Sequence, residues 1–244
     1  MTWQGVVLTL AMAVFLQAWA QERPLEVASF VHWYGHASFR LQDGQMQIYI
    51  DPWKVPTAAP QADVVLVTHG HFDHFAPATI AQLGKGNTCL VAPHDVIAQA
   101  RKAKELAALR ATPGRLIGVA PGDTVTMHGL QIVAVPAYNI GKEFHPKGNQ
   151  WVGYMVRLNR GEVVYHAGDS DYIPEMAHLH PDVALLPIGG TYTMGADEAA
   201  KAVQSMQPRA VVPMHYGDIV GGTKDVARLR ELVGKRIVVL SREK

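Results

Sequence analysis

Residues 67–77 read VTHGHFDHFAP and place His69, His71, Asp73 and His74 within six consecutive positions. They follow DVVLV, an apolar run of the kind seen in a strand covered on both faces. In extended chain alternate side chains share a side, so His69, His71 and Asp73 project together. His74 leaves at another angle, as the chain turns toward a helix that Pro77 opens. Imidazole and carboxylate are ligands for Zn, Fe or Mn, and one loop of this form can serve two cations. The bland alternative is a polar loop of hydrogen-bonded histidines. Four ligand-type side chains at this spacing, with more downstream, weigh against it.

The rest of the chain alternates strand and helix patterns. EVASFVHW, ASFRLQ and QMQIYID read as short antiparallel strands with turns at Gly35 and Asp43-Gly44. PATIAQLG is a helix ending at Gly84, TCLVAP a strand, and DVIAQARKAKELAALR one helix with Asp95 as its N-cap. RLIGVA, TVTMHG, LQIVAVPA, WVGYMVRL, EVVYHAG and DVALLPI follow as strands. DEAAKAVQSM and TKDVARLRELVG are helices flanking the strand RAVVPMH, and RIVVLS is a last strand. Strands followed by helices in each half imply an α/β fold of two sheets with helices outside. With no low-complexity segment or linker, residues 21–244 read as a single domain.

The first twenty residues, MTWQGVVLTLAMAVFLQAWA, carry no charged side chain. Their apolar run is too short for a comfortable membrane span and suits a signal peptide cleaved after Ala18-Trp19-Ala20. The expected product is exported, periplasmic or secreted, with no stable membrane span. A net charge of +1 without a basic cluster gives no nucleic-acid footprint. Cys89 is the single cysteine, so no intramolecular disulfide forms, and TCLVA suggests that it is buried. No feature sets the oligomeric state.

Further ligand candidates stand at strand ends, where α/β folds place their sites. Asp169 follows VVYHAG, His215 follows AVVPM, and His145 lies in the loop YNIGKEFHPKGNQ. Two oxygens suit Asp169 to bridging a pair of cations. The motifs THGHFDH, AGDSD and PMHYG, in this order, resemble the metallo-β-lactamase fold superfamily. WYGHASFRL, IDP, YHAGDSDYIPEM and ALLPIGGTYTM resemble its metal-dependent hydrolase branch, near the ascorbate-6-phosphate lactonase-like proteins. The resemblance implies an αββα sandwich with a dinuclear site at one edge. It assigns His69 and His71 to a first metal, Asp73, His74 and His215 to a second, and Asp169 to both. Relatives often carry the remaining first-metal histidine directly after a PA strand. Here Asn139 stands near that slot, and His145, six residues on, is the nearest histidine. His145 is favoured as the better donor, with Asn139 as the alternative.

The expected activity is hydrolysis of a small-molecule ester, lactone or phosphoester by a hydroxide held on two divalent ions, zinc first, manganese or iron otherwise. Asp73 orients the nucleophile. His36, Tyr216 and His94, in that order, are the proton donors considered for the leaving group. Asp51 is expected to orient a ligand imidazole, His166 to lie under the site, and GGTYTMG to line the pocket. Lys142 and Lys147, flanking His145, suggest an anionic substrate. A di-iron redox protein on the same fold is the alternative from another class, although this chain has no flavin domain. A β-lactamase is an alternative within the hydrolase class.

Overall fold

The computed structural model describes residues 25–244. The segment expected to be a signal peptide lies outside the described residues. Twelve strands form two six-stranded sheets. The first sheet runs in the order β1 (Val31–Gly35), β2 (Ser38–Asp43), β3 (Met46–Ile50), β4 (Val64–Leu66), β5 (Cys89–Pro93) and β6 (Leu116–Val119). The second holds β7 (Thr124–Met127), β8 (Leu130–Pro136), β9 (Val152–Arg157), β10 (Val163–His166), β11 (Val183–Pro187) and β12 (Ala210–Met214), again in chain order across the sheet. Each sheet begins as an antiparallel meander and ends in parallel strands: β3 to β6 in the first, β10 to β12 in the second. This is the αββα sandwich expected from the sequence.

The apolar run at β4 is explained by its two neighbours. Val64 and Leu66 belong to the core between the sheets, together with Ile48, Tyr154 and Leu185. Val65 and Val67 belong to a second core that includes Ile80 and Leu83 of α1 (Pro77–Leu83) and Val96 and Ile97 of α2 (His94–Lys102). A strand buried on both faces has no polar side to alternate with. On the other side α4 (Ala196–Met206) packs against β11 and against α5 (Thr223–Val233). Residues at the alternating inward positions of α4, among them Ala199, Val203 and Met206, join the main core.

Three local expectations are corrected. The helix expected over residues 95–110 breaks at Ala103, whose φ −66° and ψ 120° are extended. A 3₁₀ turn and α3 (Ala107–Arg110) follow, bringing Leu106 and Leu109 back onto the core of α2. Asp95 makes no cap. Its carboxylate accepts a hydrogen bond from Trp151 Nε1 at 3.0 Å. The RIVVLS segment forms no strand: it makes one isolated parallel bridge, Ile237 to Val211, and Arg242 just beyond it makes another to Trp33. It runs from the edge strand β12 to the edge strand β1 and covers both. Cys89 is half-buried rather than buried. No helix among the described residues is long and apolar enough to cross a membrane.

Candidate metal centre

Every site candidate stands just beyond the C-terminal end of a strand. His36 follows β1, Asp51 follows β3, His69 to His74 follow β4, His145 follows β8, Asp169 follows β10 and His215 follows β12. The two sheets therefore deliver ligands from both sides to one edge of the sandwich. His36, Asp51 and His215 take left-handed backbone conformations, with φ of 49°, 47° and 57°. Such a conformation costs a non-glycine residue roughly 1 kcal/mol or more and concentrates at functional sites. Gly168, φ 61°, makes the turn that presents Asp169.

The ligand-type atoms fall into groups around Asp169. His69, His71 and His145 form one group; His36, Asp73, His74 and His215 form another; Asp169 joins His69 and His74 in a third. Asp169 Oδ1 lies 3.3 Å from His74 Nε2. Its Oδ2 lies 3.0 Å from His215 Nε2 and 3.4 Å from His145 Nε2. One carboxylate thus faces both clusters, as a bridging ligand must. His69 Nε2 and His71 Nδ1 are 3.0 Å apart, close to the roughly 3.3 Å separation that two imidazoles have on a tetrahedral ion with bonds of about 2.0 Å.

Hydrogen bonds behind the rings fix which nitrogen is free. Thr68 Oγ1 donates to Asp51 Oδ2 at 2.7 Å, and Asp51 Oδ1 accepts from Thr68 N at 2.8 Å. The Thr68 hydroxyl, its proton spent, accepts from His69 Nδ1 at 3.0 Å. Asp51 Oδ2 also accepts from His74 Nδ1 at 2.7 Å. Asp51 therefore orients His74 directly and His69 through Thr68, leaving each Nε2 facing inward. At His145, Nδ1 faces two acceptors, Asn139 Oδ1 at 2.9 Å and the Tyr192 carbonyl at 3.2 Å. The proton is therefore on Nδ1 and the lone pair on Nε2. Asn139 cannot flip, because its Nδ2 donates to Asp171 Oδ1 and to the Tyr192 carbonyl at 3.1 and 2.9 Å. The structure thus brings His145 into the first cluster and sets Asn139 behind it.

The donors fit divalent cations electrostatically. Burial lowers the proton affinity of His69, His71 and His145, the last to about 4, so these imidazoles are neutral and hold free lone pairs. Burial works against ionisation of Asp169, but His215 and His74 hold its carboxyl well below the usual range. Burial also opposes ionisation of Asp73, but the hydrogen bond to His36 and the charge of His74 together hold its carboxyl below the usual value. His74 is the exception. Burial lowers it, Asp169 and Asp51 prevail, and it is held well above the ordinary histidine value. In the metal-free chain a proton on His74 stands where positive charge belongs. Eight buried side-chain polar atoms among the described residues have no hydrogen-bond partner, and five are here: His36 Nδ1, His74 Nε2, His145 Nε2, Asp169 Oδ1 and His215 Nδ1. Buried polar groups are normally satisfied, and at three of the five, His74 Nε2, His145 Nε2 and Asp169 Oδ1, which meet around the Asp169 carboxylate, a bound cation would supply the missing partner.

A cavity of about 250 Å³ opens onto the cluster, lined by His71, Asp73, His145, Asp169 and His215. Phe72, Phe144, Tyr192 and Ile219 complete its wall. Other expected participants lie elsewhere. His36 is fully buried behind Asp73, its Nε2 2.9 Å from Asp73 Oδ2. Tyr216 is buried and stacked on Trp33, ring centres 5.2 Å apart. His94 is exposed at the start of α2. None of the three lines the cavity. His166 lies under the site, bonded to the Ala37 carbonyl and to Gly168 N. Of GGTYTMG, Tyr192 alone reaches the cavity wall. Lys142 is engaged with Asp171 at 2.6 Å and the Thr193 carbonyl at 2.8 Å, Lys147 with Glu175 at 2.9 Å. Neither lysine lines the cavity. Sequence reasoning missed Thr68, signalled only by its place before His69, and Trp151, whose ring centre lies 5.0 Å from that of His69 and 5.1 Å from that of His71.

Comparison with known proteins agrees with this geometry. Residues 30–215 match the model of the beta-lactamase superfamily domain. A UPF0173 metal-dependent hydrolase of Thermococcus kodakarensis is 39% identical over 223 residues, covering 86% of this chain and 94% of that protein. One from Myxococcus xanthus is 35% identical over 216 residues, covering 80% and 74%. Among solved structures, the metallo hydrolase Igni18 of Ignicoccus hospitalis aligns with a TM-score of 0.68 at 26% identity, covering 88% of this chain and 95% of that one. The diiron beta-hydroxylase CmlA of Streptomyces venezuelae aligns at 0.62 with 14% identity, covering 86% of this chain and 52% of that one, a likeness of fold alone. The chain belongs to the beta-lactamase superfamily and is a metal-dependent hydrolase of the kind represented by its UPF0173 relatives.

Proposed function

We propose that this chain hydrolyses an ester, lactone or phosphoester bond of a small molecule at a dinuclear centre, with zinc as the resident ion. The observation that carries the reading is the Asp169 carboxylate set between two ligand clusters, its Oδ2 near both His145 and His215 and its Oδ1 near His74. His69, His71 and His145 would hold one ion, Asp73, His74 and His215 the other, with Asp169 shared. Divalent ions so held supply an activated water and polarise the scissile group.

The chain's own residues do the rest. Asp73 lines the cavity, and His36 and His74 together favour its ionised form against burial. It is the carboxylate placed to take a proton from the attacking water and pass it to the leaving oxygen. His36 acts through Asp73, holding Oδ2 in place. Asp51 and Thr68 fix His74 and His69, and Asn139 fixes His145. The small cavity suits a substrate below drug size. No cavity-lining residue carries a positive side chain other than through its imidazole, so an anionic substrate would depend on the ions alone.

The test is a panel of p-nitrophenyl esters, chromogenic lactones and bis(p-nitrophenyl) phosphate, offered to the zinc-loaded chain. Hydrolysis of at least one class, abolished by chelation and restored by zinc, is the expected result. Turnover unaffected by complete removal of metal would overturn the reading.

A further inference from the structure

Six large apolar side chains are exposed among the described residues: Phe72, Ile140, Phe144, Ile219, Leu232 and Val239. Four of them stand within five residues of a ligand candidate in sequence. Three of those four, Phe72, Phe144 and Ile219, line the cavity over the metal cluster. Scattered apolar residues on a surface need no explanation, but a contiguous group at the mouth of a pocket does.

Phe72 is 70% exposed although it lies between the ligand candidates His71 and Asp73. Its ring meets Trp53 edge to face with centres 6.0 Å apart. Phe144 precedes His145, is 46% exposed, and meets Tyr192 edge to face at 4.7 Å. Ile219 comes from the loop that follows His215. Each apolar group is thus carried by the same loop as a ligand, from β4, β8 and β12 in turn. Lys142 and Lys147 are engaged with Asp171 and Glu175, Lys54 lies over the Trp53 ring and 3.6 Å from Asp218, and no lysine lines the cavity.

We propose that Phe72, Phe144 and Ile219 form a specificity subsite for an apolar acyl or aryl group, and that the substrate is a neutral carboxylic ester or lactone. The inference rests on the hydrolase reading above and names its substrate class. Water adds to the acyl carbon, the acyl C–O bond breaks, and the products are a carboxylate, an alcohol and one proton. The apolar group stays in the mouth while the polar reacting carbonyl enters the cluster. A group left in water when the free protein exposes Phe72 and Phe144 is desolvated together with them, which is what selects it.

The experiment uses the full zinc-loaded chain and p-nitrophenyl acetate, butyrate, hexanoate and octanoate, with p-nitrophenyl hemisuccinate as the anionic member. Expected is a rise in kcat/KM of about two- to fourfold per methylene from acetate to hexanoate, with hemisuccinate below butyrate. In Phe72→Ala and Phe144→Ala, with zinc content checked, the hexanoate-to-acetate ratio should collapse by about tenfold. Leu232→Ala, whose side chain is exposed on α5 away from the cavity, should leave that ratio unchanged. A flat or falling series, a preference for hemisuccinate, or a ratio untouched by both phenylalanine variants overturns the inference. A second arm does not depend on turnover: binding of N-phenyl-1-naphthylamine, a neutral fluorophore. Binding that is lost in the Phe72→Ala/Phe144→Ala double variant supports the subsite even if no ester is cleaved, a result that would count against the hydrolase reading instead. Equal binding by wild type and double variant removes the subsite.

Discussion

Asn139 offers its amide oxygen to His145 while both neighbours of its amide nitrogen are fixed acceptors. Removing that oxygen leaves the His145 Nδ1–H held only by the longer contact to Tyr192. Asn139→Ala should therefore weaken zinc binding by about 10- to 100-fold, the usual cost of losing a partner behind a metal ligand. Competition against a chromophoric chelator measures it, and wild-type affinity would show that Asn139 does not position His145. His145 also makes a pH prediction for the metal-free chain. Burial lowers it from 6.5 to about 4, so between those values the unfolded chain binds a proton there that the folded chain does not. Stability then rises with pH across this window and is lost as pH falls through it, by about 3 kcal/mol at most from this residue. His74 does not oppose this, because a group held above its ordinary value is protonated in both states below pH 6.5. Urea titrations of wild type and His145→Gln should show a shallower pH slope in the variant. At this scale the residues that the structure gathers into the candidate centre were legible, because four share one loop, Asp169 and His215 follow strands, and His145 lies in the loop after β8. Thr68, Trp151 and the apolar Phe72 and Phe144 were not, since their roles come from contacts between segments distant in sequence.

Strands β4 and β9 come from different sheets, and a buried tyrosine joins them at the site. Tyr154 on β9 donates to the Val67 carbonyl at 2.9 Å, with the Val91 carbonyl at 3.3 Å. Val67 leads directly into Thr68 and His69, so this bond ties the root of the histidine loop to the opposite sheet. Tyr154→Phe keeps the ring and removes the donor to the buried Val67 carbonyl, while the Val91 carbonyl keeps its bond from Val67 N at 3.0 Å. A loss of about 1–3 kcal/mol in unfolding free energy is expected, read by urea denaturation of the metal-free chain. No loss would mean that the bond does not hold the loop. Strand and helix identities were readable wherever periodicity ran unbroken, as in β4, α4 and α5. Residues 95–110 misled because Ala, Lys, Glu and Leu favour helix locally, whereas burial of Leu106 and Leu109 required the chain to turn at Ala103. RIVVLS has strand composition, but it is stretched between two sheet edges and pairs fully with neither.

For the molecule as a whole, the two sheets matter because neither carries a complete site. The first supplies His69, His71, Asp73 and His74; the second supplies His145, Asp169 and His215. Two sheets with helices outside followed from the order of strands and helices, whereas the αββα sandwich with its site at one edge was what the resemblance implied. The grouping of the ligand candidates is seen in the structure, and their division between two ions is what the resemblance implied. We also propose that the chain is exported and cleaved after Ala20. Intact mass of the protein recovered from an expressing bacterium should correspond to a start at Gln21, and a cytosolic chain beginning at Met1 or Thr2 would refute export. The central claim is that Asp169 joins two metal ions, and elemental analysis tests it most directly. Zinc-loaded protein, dialysed against metal-free buffer, should retain two ions per chain. His215→Ala should retain about one, and Asp169→Ala should lose both. One tightly bound ion in the wild type, unchanged in Asp169→Ala, would contradict the account.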